Sequence, residues 1–325
     1  MAGSTDSCTA AADAVWTRLA HSTPAADPFS CGPAWQRSCL EAFHDGAELF
    51  VRHDDERLAA FALFQDEGHA PFLGPPDRGW RFGRTLLGAG AEELLLDLLN
   101  SLGGAVSSVL LSGMERADPD AMWMLLDLVA RTRDHAMLHV SDTKMAHASL
   151  RGGYDGYWSR RSPKFRRDVR RCRRRAEREG VTFERCVPRS LADAGAAYRR
   201  MCALDDRSWK GRMGDGIGGA GSHHFYLRLL ERLATSSDAR VVFARARDHD
   251  IGFVFGGLAG AVYRGQQFSF DEAWFDLSIG NLLQDQMLAW LCEEGIERYD
   301  MGPEMPYMRR FAEGADTHSS FLLRF

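Results

Sequence analysis

Two neighbouring carboxylates, followed by a serine and a glycine, come directly after one apolar run late in the chain. Asp271 and Glu272 end a predicted strand, Ala261 to Phe270, and Ser278 and Gly280 stand where the next predicted helix begins. A carboxylate can accept a proton, and the first turn of a helix offers unpaired N–H groups that bind an anion. One interpretation is a site that combines the two. The alternative is that the carboxylates only solvate the strand end and that the serine and glycine only start the helix.

The segment from Arg160 to Gly180 is unusually rich in arginine. It predicts a helix that starts at Ser162 and docks through one apolar stripe, formed by Phe165, Val169, Cys172 and Ala176. The arginines around the stripe are either a solvated surface or contacts to the phosphates of a cofactor, to an acyl carrier or to RNA. The solvent face is expected to include Arg170, Arg173 and Arg174, so that their replacement by glutamine leaves folding intact.

Short helices and strands alternate through the rest of the chain, which predicts an α/β fold with a mixed sheet. In the first half, helices are predicted over Ala11 to Leu19, Ala91 to Leu102 and Ala121 to Arg131, and strands over Ala47 to Arg52, Leu58 to Phe64, Ser107 to Ser112 and Ala136 to Val140. In the second half, helices are predicted over Ser190 to Leu204, Phe225 to Thr235 and Gly280 to Glu294, and strands over Thr182 to Cys186, Arg240 to Ala246, Ile251 to Ala259, Ala261 to Phe270 and Arg298 to Met301. Residues 205–224 are polar and rich in glycine, and they predict a long lid or binding loop.

Length and composition limit the class of protein. A chain of 325 residues is expected to form two domains, and 45% hydrophobic with 26% charged residues is typical of an ordinary globular protein. The net charge of −5 argues against a surface that coats nucleic acid throughout. The seven cysteines are scattered without metal-ligand spacing, so we expect free thiols and no bound metal. Without a signal peptide or an apolar run long enough to cross a bilayer, a cytoplasmic location is expected.

Several motifs in order resemble the CelD-like subgroup of the GNAT (N-acetyltransferase) fold, which is similar in fold to the Fem-type aminoacyl-tRNA-dependent transferases. The resemblance spans most of the chain, and it rests on Trp16, Phe29 to Trp35, Tyr154 to Gly180, Ser208-Trp209-Lys210-Gly211, Phe225-Tyr226, Phe270-Asp271-Glu272, Ser278-Ile279-Gly280, Asp300-Met301-Gly302 and Tyr307. It implies two tandem GNAT-like halves, residues 1–155 and 156–325. The second half would carry the chemistry.

The resemblance also implies where the acyl donor binds. In GNAT proteins the donor's phosphates lie on the loop and helix start after the fourth strand, which here are Ser278, Ile279, Gly280, Asn281 and Leu282. Backbone N–H groups near Ser269 and Phe270 would hold the oxyanion that develops during the reaction. The donor would be acetyl-CoA, another acyl-CoA or an acyl carrier protein.

The reaction implied by the resemblance is the attack of an amine on a thioester. An alkylammonium with a pKa near 10 must first lose a proton, and the expected base is Asp271, with Glu272 as the second candidate. Alternating strand residues face opposite sides, so only one of the two is expected to reach the substrate. Tyr307, or else Tyr263, would protonate the departing thiolate. The acceptor site would be lined by Trp209, Lys210 and Tyr263. His223 and His224 are interpreted as solvated side chains rather than as bases.

Three departures from the family pattern keep other functions open. Ile279 stands where the family usually has proline, Met308 stands where it commonly has lysine, and the usual Q/R-x-x-G-x-G/A phosphate loop is missing. The favoured function is an N-acyltransferase acting on an amine of a small molecule or peptide. One alternative is Fem-type transfer from aminoacyl-tRNA, with RNA contacted by the Arg160 to Arg178 helix. The other is a non-catalytic module that binds an acyl carrier, a peptide or a partner protein.

Overall fold

A computed structural model describes residues 3–68, 70–131, 136–214 and 216–325. The chain divides into two compact units. Unit 1 contains the residues up to Lys144 together with Asp316–Phe325, and unit 2 contains Met145–Ala315. The expected boundary between residues 155 and 156 falls inside a helix of unit 2, Gly153–Ser159.

The first part of the chain forms four helices and six strands, in the order α1 (Gly3–Ser22), α2 (Pro33–Phe43), β1 (Glu48–His53), β2 (Leu58–Phe64), β3 (Phe72–Gly74), β4 (Leu86–Leu87), α3 (Ala91–Ser101), β5 (Ser108–Glu115), α4 (Pro119–Arg131) and β6 (Ala136–Ser149). The sheet order in unit 1 is β1-β2-β3-β5, with β4 beside β2. The last strand of the chain, β12 (Gly314–Arg324), pairs antiparallel with β5. The two strands predicted over Ala47 to Arg52 and Leu58 to Phe64 are β1 and β2, and the short polar turn between them makes them a hairpin, with Glu48 opposite Leu63 and His53 opposite Leu58.

Strand β2 is apolar at every position because both of its faces are covered. Ala59 and Phe61 belong to a cluster with the buried sides of α3 and α4. Leu58 and Ala60 point the other way, into a cluster that includes Trp16 of α1. Successive side chains of a strand alternate between faces, so a strand between two layers of helices reads as a continuous apolar run.

Unit 2 continues with α5 (Gly153–Ser159), α6 (Pro163–Arg178), β7 (Val181–Cys186), α7 (Leu191–Asp205), α8 (Trp209–Met213), α9 (Ala220–Thr235), β8 (Ala239–Ala246), β9 (His249–Ala259), β10 (Val262–Phe270), α10 (Ile279–Glu293) and β11 (Arg298–Pro303). Two 3₁₀ helices, Glu272–Leu277 and Pro306–Arg310, flank α10 and β11. The sheet order is β6-β11-β10-β9-β8-β7. The three strands predicted between Arg240 and Phe270 are confirmed as β8, β9 and β10, and they form an antiparallel meander. Both units therefore place helices before an antiparallel meander, then a helix and a further strand.

The predicted loop over residues 205–224 is wrong in part, because it contains α8 and the first turn of α9. The Ser208 hydroxyl caps α8 by accepting a hydrogen bond from the Gly211 amide at 3.1 Å. The buried Asp205 carboxylate closes the segment by accepting from the Ile217 amide at 2.7 Å. Because the segment is rich in glycine, its sequence predicts a loop and gives no signal for these two capping contacts.

The arginine-rich segment forms α6, as predicted. The Ser162 hydroxyl accepts a hydrogen bond from the Phe165 amide at 3.2 Å and begins the helix. Phe165, Val169 and Ala176 are buried, and Cys172 packs beside them. The stripe therefore docks the helix on the core of unit 2.

One solvent-face assignment in α6 is wrong. Arg173 pairs with Asp285, whose carboxylate is fully buried on α10, and the same guanidinium donates to the Tyr154 hydroxyl at 2.6 Å. Tyr154 donates in turn to the other oxygen of Asp285. Removing Arg173 would leave a buried carboxylate without its counter-charge, so this arginine is part of the packing between α6 and α10.

Two further features concern the cysteines and the apolarity of the helices. The six cysteines other than Cys8 are free thiols, and Cys8 lies outside the described side chains. Along the described chain no helix has the length and apolarity needed to cross a membrane.

Replacing Arg173 by glutamine should lower the free energy of unfolding by roughly 2–4 kcal/mol, since it strands the buried carboxylate of Asp285. Arg174→Gln is the matched control, because Arg174 is exposed and its replacement should stay within about 0.5 kcal/mol of wild type. Urea unfolding of the two variants measures the difference. Equal stability of the two variants would show that the ion pair does not hold α6.

Candidate active site

The site begins where two parallel strands of unit 2 separate. In the described chain, β10 and β11 pair only at Val262 with Arg298, Tyr263 with Tyr299 and Arg264 with Asp300. The register of β10 then shifts between Gly265 and Gln267. Beyond this bulge β10 continues beside β9 but no longer beside β11, so one edge of residues 267–270 faces a gap.

A buried ion pair marks the end of the paired region. The Arg264 guanidinium donates to the Asp300 carboxylate at 3.1 Å, and both side chains are almost fully enclosed. The other oxygen of Asp300 accepts from the Gly302 amide at 2.8 Å. Gly302 has a φ of +81°, which glycine adopts without strain, so β11 turns away immediately after the pair.

The backbone of β10 alternates between β9 and the gap. The Asp271 amide donates to Ile251 of β9 at 3.0 Å, and in an antiparallel ladder the amides two residues apart face the same side. Ser269 therefore faces β9, whereas the amides of Phe268 and Phe270 face the gap. The Phe268 carbonyl also points away from β9, because it accepts a hydrogen bond from Lys210. An amide N–H in this position can hold an oxygen that becomes negative.

The start of α10 lies against the same part of β10. A Cβ placed on Gly280 would lie 3.1 Å from the Phe268 ring and 3.2 Å from the Phe270 ring. Ser278 adopts the left-handed conformation, with a φ of 56°, and its side chain makes no capping hydrogen bond. Ile279 and Leu282 are buried, and Asn281 is half-buried. The structure thus brings the predicted donor-binding segment next to the open edge of β10.

Lys210 of α8 reaches the same edge. Its ammonium donates to the Gln267 side-chain oxygen and to the Phe268 carbonyl, each at 3.1 Å, and lies 4.7 Å from the centre of the Phe268 ring. Burial lowers the pKa of Lys210 below its usual range, and Asp205 opposes that shift. The Gln267 amide donates onward to the Tyr226 hydroxyl at 2.8 Å. A chain of polar contacts therefore runs along this side of β10.

Tyr307 also packs against the Phe268 ring. The two rings meet edge to face with centroids 5.2 Å apart. Partial burial, with a smaller contribution from Tyr226, raises the pKa of Tyr307 to about 12. The phenol is therefore protonated at neutral pH and can donate a proton or a hydrogen bond.

Asp271 and Glu272 do not lie in the strand, contrary to the expectation that strand alternation separates them. Asp271 is the N-cap of the Glu272–Leu277 3₁₀ helix and accepts from the Ala273 amide at 3.0 Å. Its other oxygen accepts from Arg207 at 3.0 Å, and Glu272 pairs with Arg212 at 2.7 Å. The chain turns at Asp271 because an aspartate that caps a helix favours leaving the strand.

Other predicted residues lie apart from this edge. Tyr263 is fully buried, with its ring 5.0 Å from Tyr299 and its hydroxyl without a hydrogen-bond partner among the described residues. The Ser269 hydroxyl is likewise buried without a partner. Trp209 is 47% exposed, although it precedes Lys210 directly. His223 packs against Tyr198, and His224 contacts Arg228.

Sequence reasoning missed four residues of this site: Arg207, Arg212, Tyr226 and Gln267. Gln267 could not be predicted as a site residue, since a single glutamine in an apolar strand is common. The two arginines stand in the segment that the sequence predicts as a loop, residues 205–224. Their pairing with Asp271 and Glu272 depends on the fold of α8.

Comparison with family models connects this geometry to known proteins. Residues 163–309 match the acetyltransferase (GNAT) domain family. This segment is therefore similar to a GNAT domain. It contains β10, α10, β11 and the gap between the two strands.

Solved structures with the same fold cover nearly the whole chain. FemX aligns with a TM-score of 0.69 at 11% identity over 95% of both chains. A conserved protein from Bacteroides thetaiotaomicron aligns with a TM-score of 0.62 at 11% identity, over 96% of this chain and 97% of its own. The C-terminal domain of a putative lysylphosphatidylglycerol synthetase from Agrobacterium fabrum aligns with a TM-score of 0.57 at 11% identity, over 96% and 91%. A comparison with curated protein sequences gives no match.

These likenesses establish the fold. The chain has a mixed α/β architecture of two tandem GNAT-like halves, in agreement with the repeated element order of units 1 and 2. The GNAT domain falls in the second half, where the gap beside β10 lies.

The lowered pKa of Lys210 predicts a pH dependence of stability. The unfolded chain has a lysine pKa near 10.4, so on raising the pH the folded state loses this proton first and the unfolded state binds more protons. The cost of burying the charge is fully present at neutral pH and disappears as the pH rises towards the unfolded value. Wild type should therefore gain stability relative to Lys210→Met between about pH 7 and pH 10. Urea unfolding at both pH values measures this; a constant difference would contradict it.

Proposed function

We propose that the GNAT domain transfers an acyl group from a thioester donor to an amine by direct attack. The observation that carries the proposal is the open edge of β10 beside the start of α10. The thioester carbonyl would enter the gap and accept from the Phe270 amide, while the donor's phosphates would lie on Ser278 to Leu282. The donor would be acyl-CoA or an acyl carrier protein.

The amine acceptor would approach along the side of Lys210 and Trp209. Lys210 already fixes Gln267 and the Phe268 carbonyl, so it would hold the edge of β10 in place and meet an anionic group of the acceptor. Tyr307 would donate a hydrogen bond, and then its proton, to the departing thiolate. Its raised pKa keeps the phenol protonated but makes it a weaker acid than an ordinary tyrosine. We leave Tyr263 out of this site because it is enclosed in the core.

Proton removal from the attacking ammonium is assigned to Asp271, with Glu272 as the second candidate. Both carboxylates lie at the end of β10 and both pair with arginines of the segment around α8. An acceptor that uses either carboxylate must share it with its arginine. Binding of the amine and ordering of α8 would therefore be linked.

A panel of acyl donors and amine acceptors, followed by intact-mass detection of products, tests the function. Acetyl-CoA, longer acyl-CoAs and an acylated carrier protein are the donors. Formation of an amide with one donor class supports the proposal. Absence of any amide product across the panel, with the protein folded, would contradict it.

A second candidate function is aminoacyl transfer from aminoacyl-tRNA. It is favoured by the exposed arginines of α6 and by the absence of the usual Q/R-x-x-G-x-G/A phosphate loop. A protein that uses tRNA should copurify with nucleic acid absorbing at 260 nm and release it in high salt. A charged tRNA added to the same acceptor panel distinguishes this donor from thioesters.

Asp271→Asn should lower kcat on the order of 10² to 10⁴ while changing donor affinity little, because it removes the proton acceptor and nearly keeps the shape. The asparagine oxygen can still cap the 3₁₀ helix, but the ion pair with Arg207 is lost. Arg207→Gln is the matched control, since it breaks the same pair and keeps the carboxylate. If the two variants lose activity equally, Asp271 acts only through the ion pair. Wild-type kcat in Asp271→Asn would exclude it as the base.

Gly280→Val should weaken donor binding by about tenfold, because its side chain displaces the Phe268 and Phe270 rings from the edge of β10. Gly195→Val is the matched control: Gly195 lies within α7 and has open space where a Cβ would be, so it carries only the intrinsic helix cost. The rise in unfolding temperature with acetyl-CoA and with CoA measures affinity. Unchanged affinity in folded Gly280→Val would remove this segment from the donor site.

A further inference from the structure

The arginines of α6 divide into two groups. The helix has eight arginines among its 16 residues: Arg166, Arg167, Arg170, Arg171, Arg173, Arg174, Arg175 and Arg178. Three have partners within unit 2, namely Arg171 with Asp168, Arg173 with Asp285 and Arg175 with the Asp276 carbonyl. Among the described residues, the other five make no ion pair. So dense a charge repels itself unless an anion is near.

Two of the unpaired arginines line a cleft between α5 and α6. The cleft has a volume of about 240 Å³. Its polar lining is formed by Arg166, Arg170, Arg173 and Asp155, and Tyr154 and Trp158 form its aromatic walls. Arg173 is paired with Asp285, so Arg166 and Arg170 against Asp155 leave the cleft with a positive charge.

Two N–H groups of the lining residues have no acceptor within the part of the chain that the structure describes. The indole nitrogen of Trp158 is one of them, and the whole Trp158 side chain is only 8% exposed. The Arg173 Nε is also buried and unpartnered among the described residues, although its terminal nitrogen is held by Asp285 and Tyr154. A buried donor without an acceptor is costly, and it commonly marks the place of a bound water or ion.

We propose that this cleft binds the phosphate group of a nucleotide. Arg166 and Arg170 stand one helical turn apart on α6 and can both face one tetrahedral anion. The Asp285 and Tyr154 contacts hold Arg173 in place before the ligand arrives, which lowers the entropy cost of binding. The aromatic walls leave room for the sugar or base that carries the phosphate.

The cleft is connected to the donor-binding segment by direct contacts. Arg173 pairs with Asp285 on α10, the helix that starts at Ile279. Arg175 donates to the Asp276 carbonyl at 3.2 Å, just before Ser278. Assigning the phosphate to the nucleotide portion of the acyl donor rests on the proposed function, whereas phosphate binding itself does not.

Titration with inorganic phosphate tests the cleft, with chloride at equal ionic strength as the reference. Phosphate should raise the unfolding temperature of wild type in a saturable way. Arg166→Gln with Arg170→Gln should raise the phosphate Kd by about tenfold or more. Arg167→Gln with Arg178→Gln is the matched control, because it removes the same charge from exposed positions of α6 outside the cleft, and it should change Kd by less than about twofold.

Two results would overturn the site. One is a phosphate effect no larger than that of chloride, and the other is an equal loss of affinity in both double variants, which means diffuse charge attraction only. Circular dichroism checks the fold of each variant. If the cleft double variant is unfolded, Arg170→Gln alone replaces it, since Arg170 is exposed.

Competition identifies the source of the phosphate. If the donor is CoA, inorganic phosphate should compete with CoA but not with dephospho-CoA, which lacks the 3′-phosphate. If the donor is tRNA, phosphate should compete with an RNA hairpin ending in CCA. Competition with neither would overturn the link to the donor. Phosphate binding in a protein that transfers no acyl group would contradict the proposed function and leave the cleft in place.

Discussion

The arrangement of unit 2 depends on the buried pair of Arg264 and Asp300. It lies at the last position where β10 and β11 are hydrogen-bonded neighbours, and the strands separate immediately beyond it. A charge pair enclosed in apolar surroundings is stable only when both partners are present, so the two strands are held together at this point. The bulge after Gly265 and the turn at Gly302 then direct them apart. The open backbone edge, the start of α10 and the Lys210 contacts all lie on the far side of this divergence.

Arginines perform different tasks in the two layers around this sheet. Arg173 neutralises a buried carboxylate and joins two helices. Arg207 and Arg212 hold the carboxylates at the end of β10 and connect them to α8. Five other arginines of α6 make no ion pair with any described residue. Arginine thus packs helices together, positions carboxylates and adds unpaired surface charge. The contacts of each side chain distinguish these three roles.

Elements with a strong local signal could be predicted from the sequence. The β1-β2 hairpin, the β8-β9-β10 meander and the stripe of α6 follow from apolar periodicity, and the start of α6 follows from a serine and proline pair. The short helix α8 could not be predicted, because its stability comes from Asp205 and Ser208 closing a glycine-rich segment. The role of Asp271 as a helix cap could not be predicted, because apolar periodicity does not distinguish a capping aspartate from one that ends a strand. The partners of Lys210 and Arg173 are distant in sequence, and no local pattern reports them.

The return of the chain to unit 1 has a consequence for the order of folding during synthesis. Strand β12 supplies Leu323 to the core of unit 1 and pairs with β5, yet it is made only after all of residues 145–315. The sheet of unit 1 therefore still lacks its last member while the strands of unit 2 are being synthesised. Domains generally fold in the order in which they leave the ribosome. In this chain the unit that begins first cannot pair its β5 edge with β12 until the whole nested unit has been synthesised.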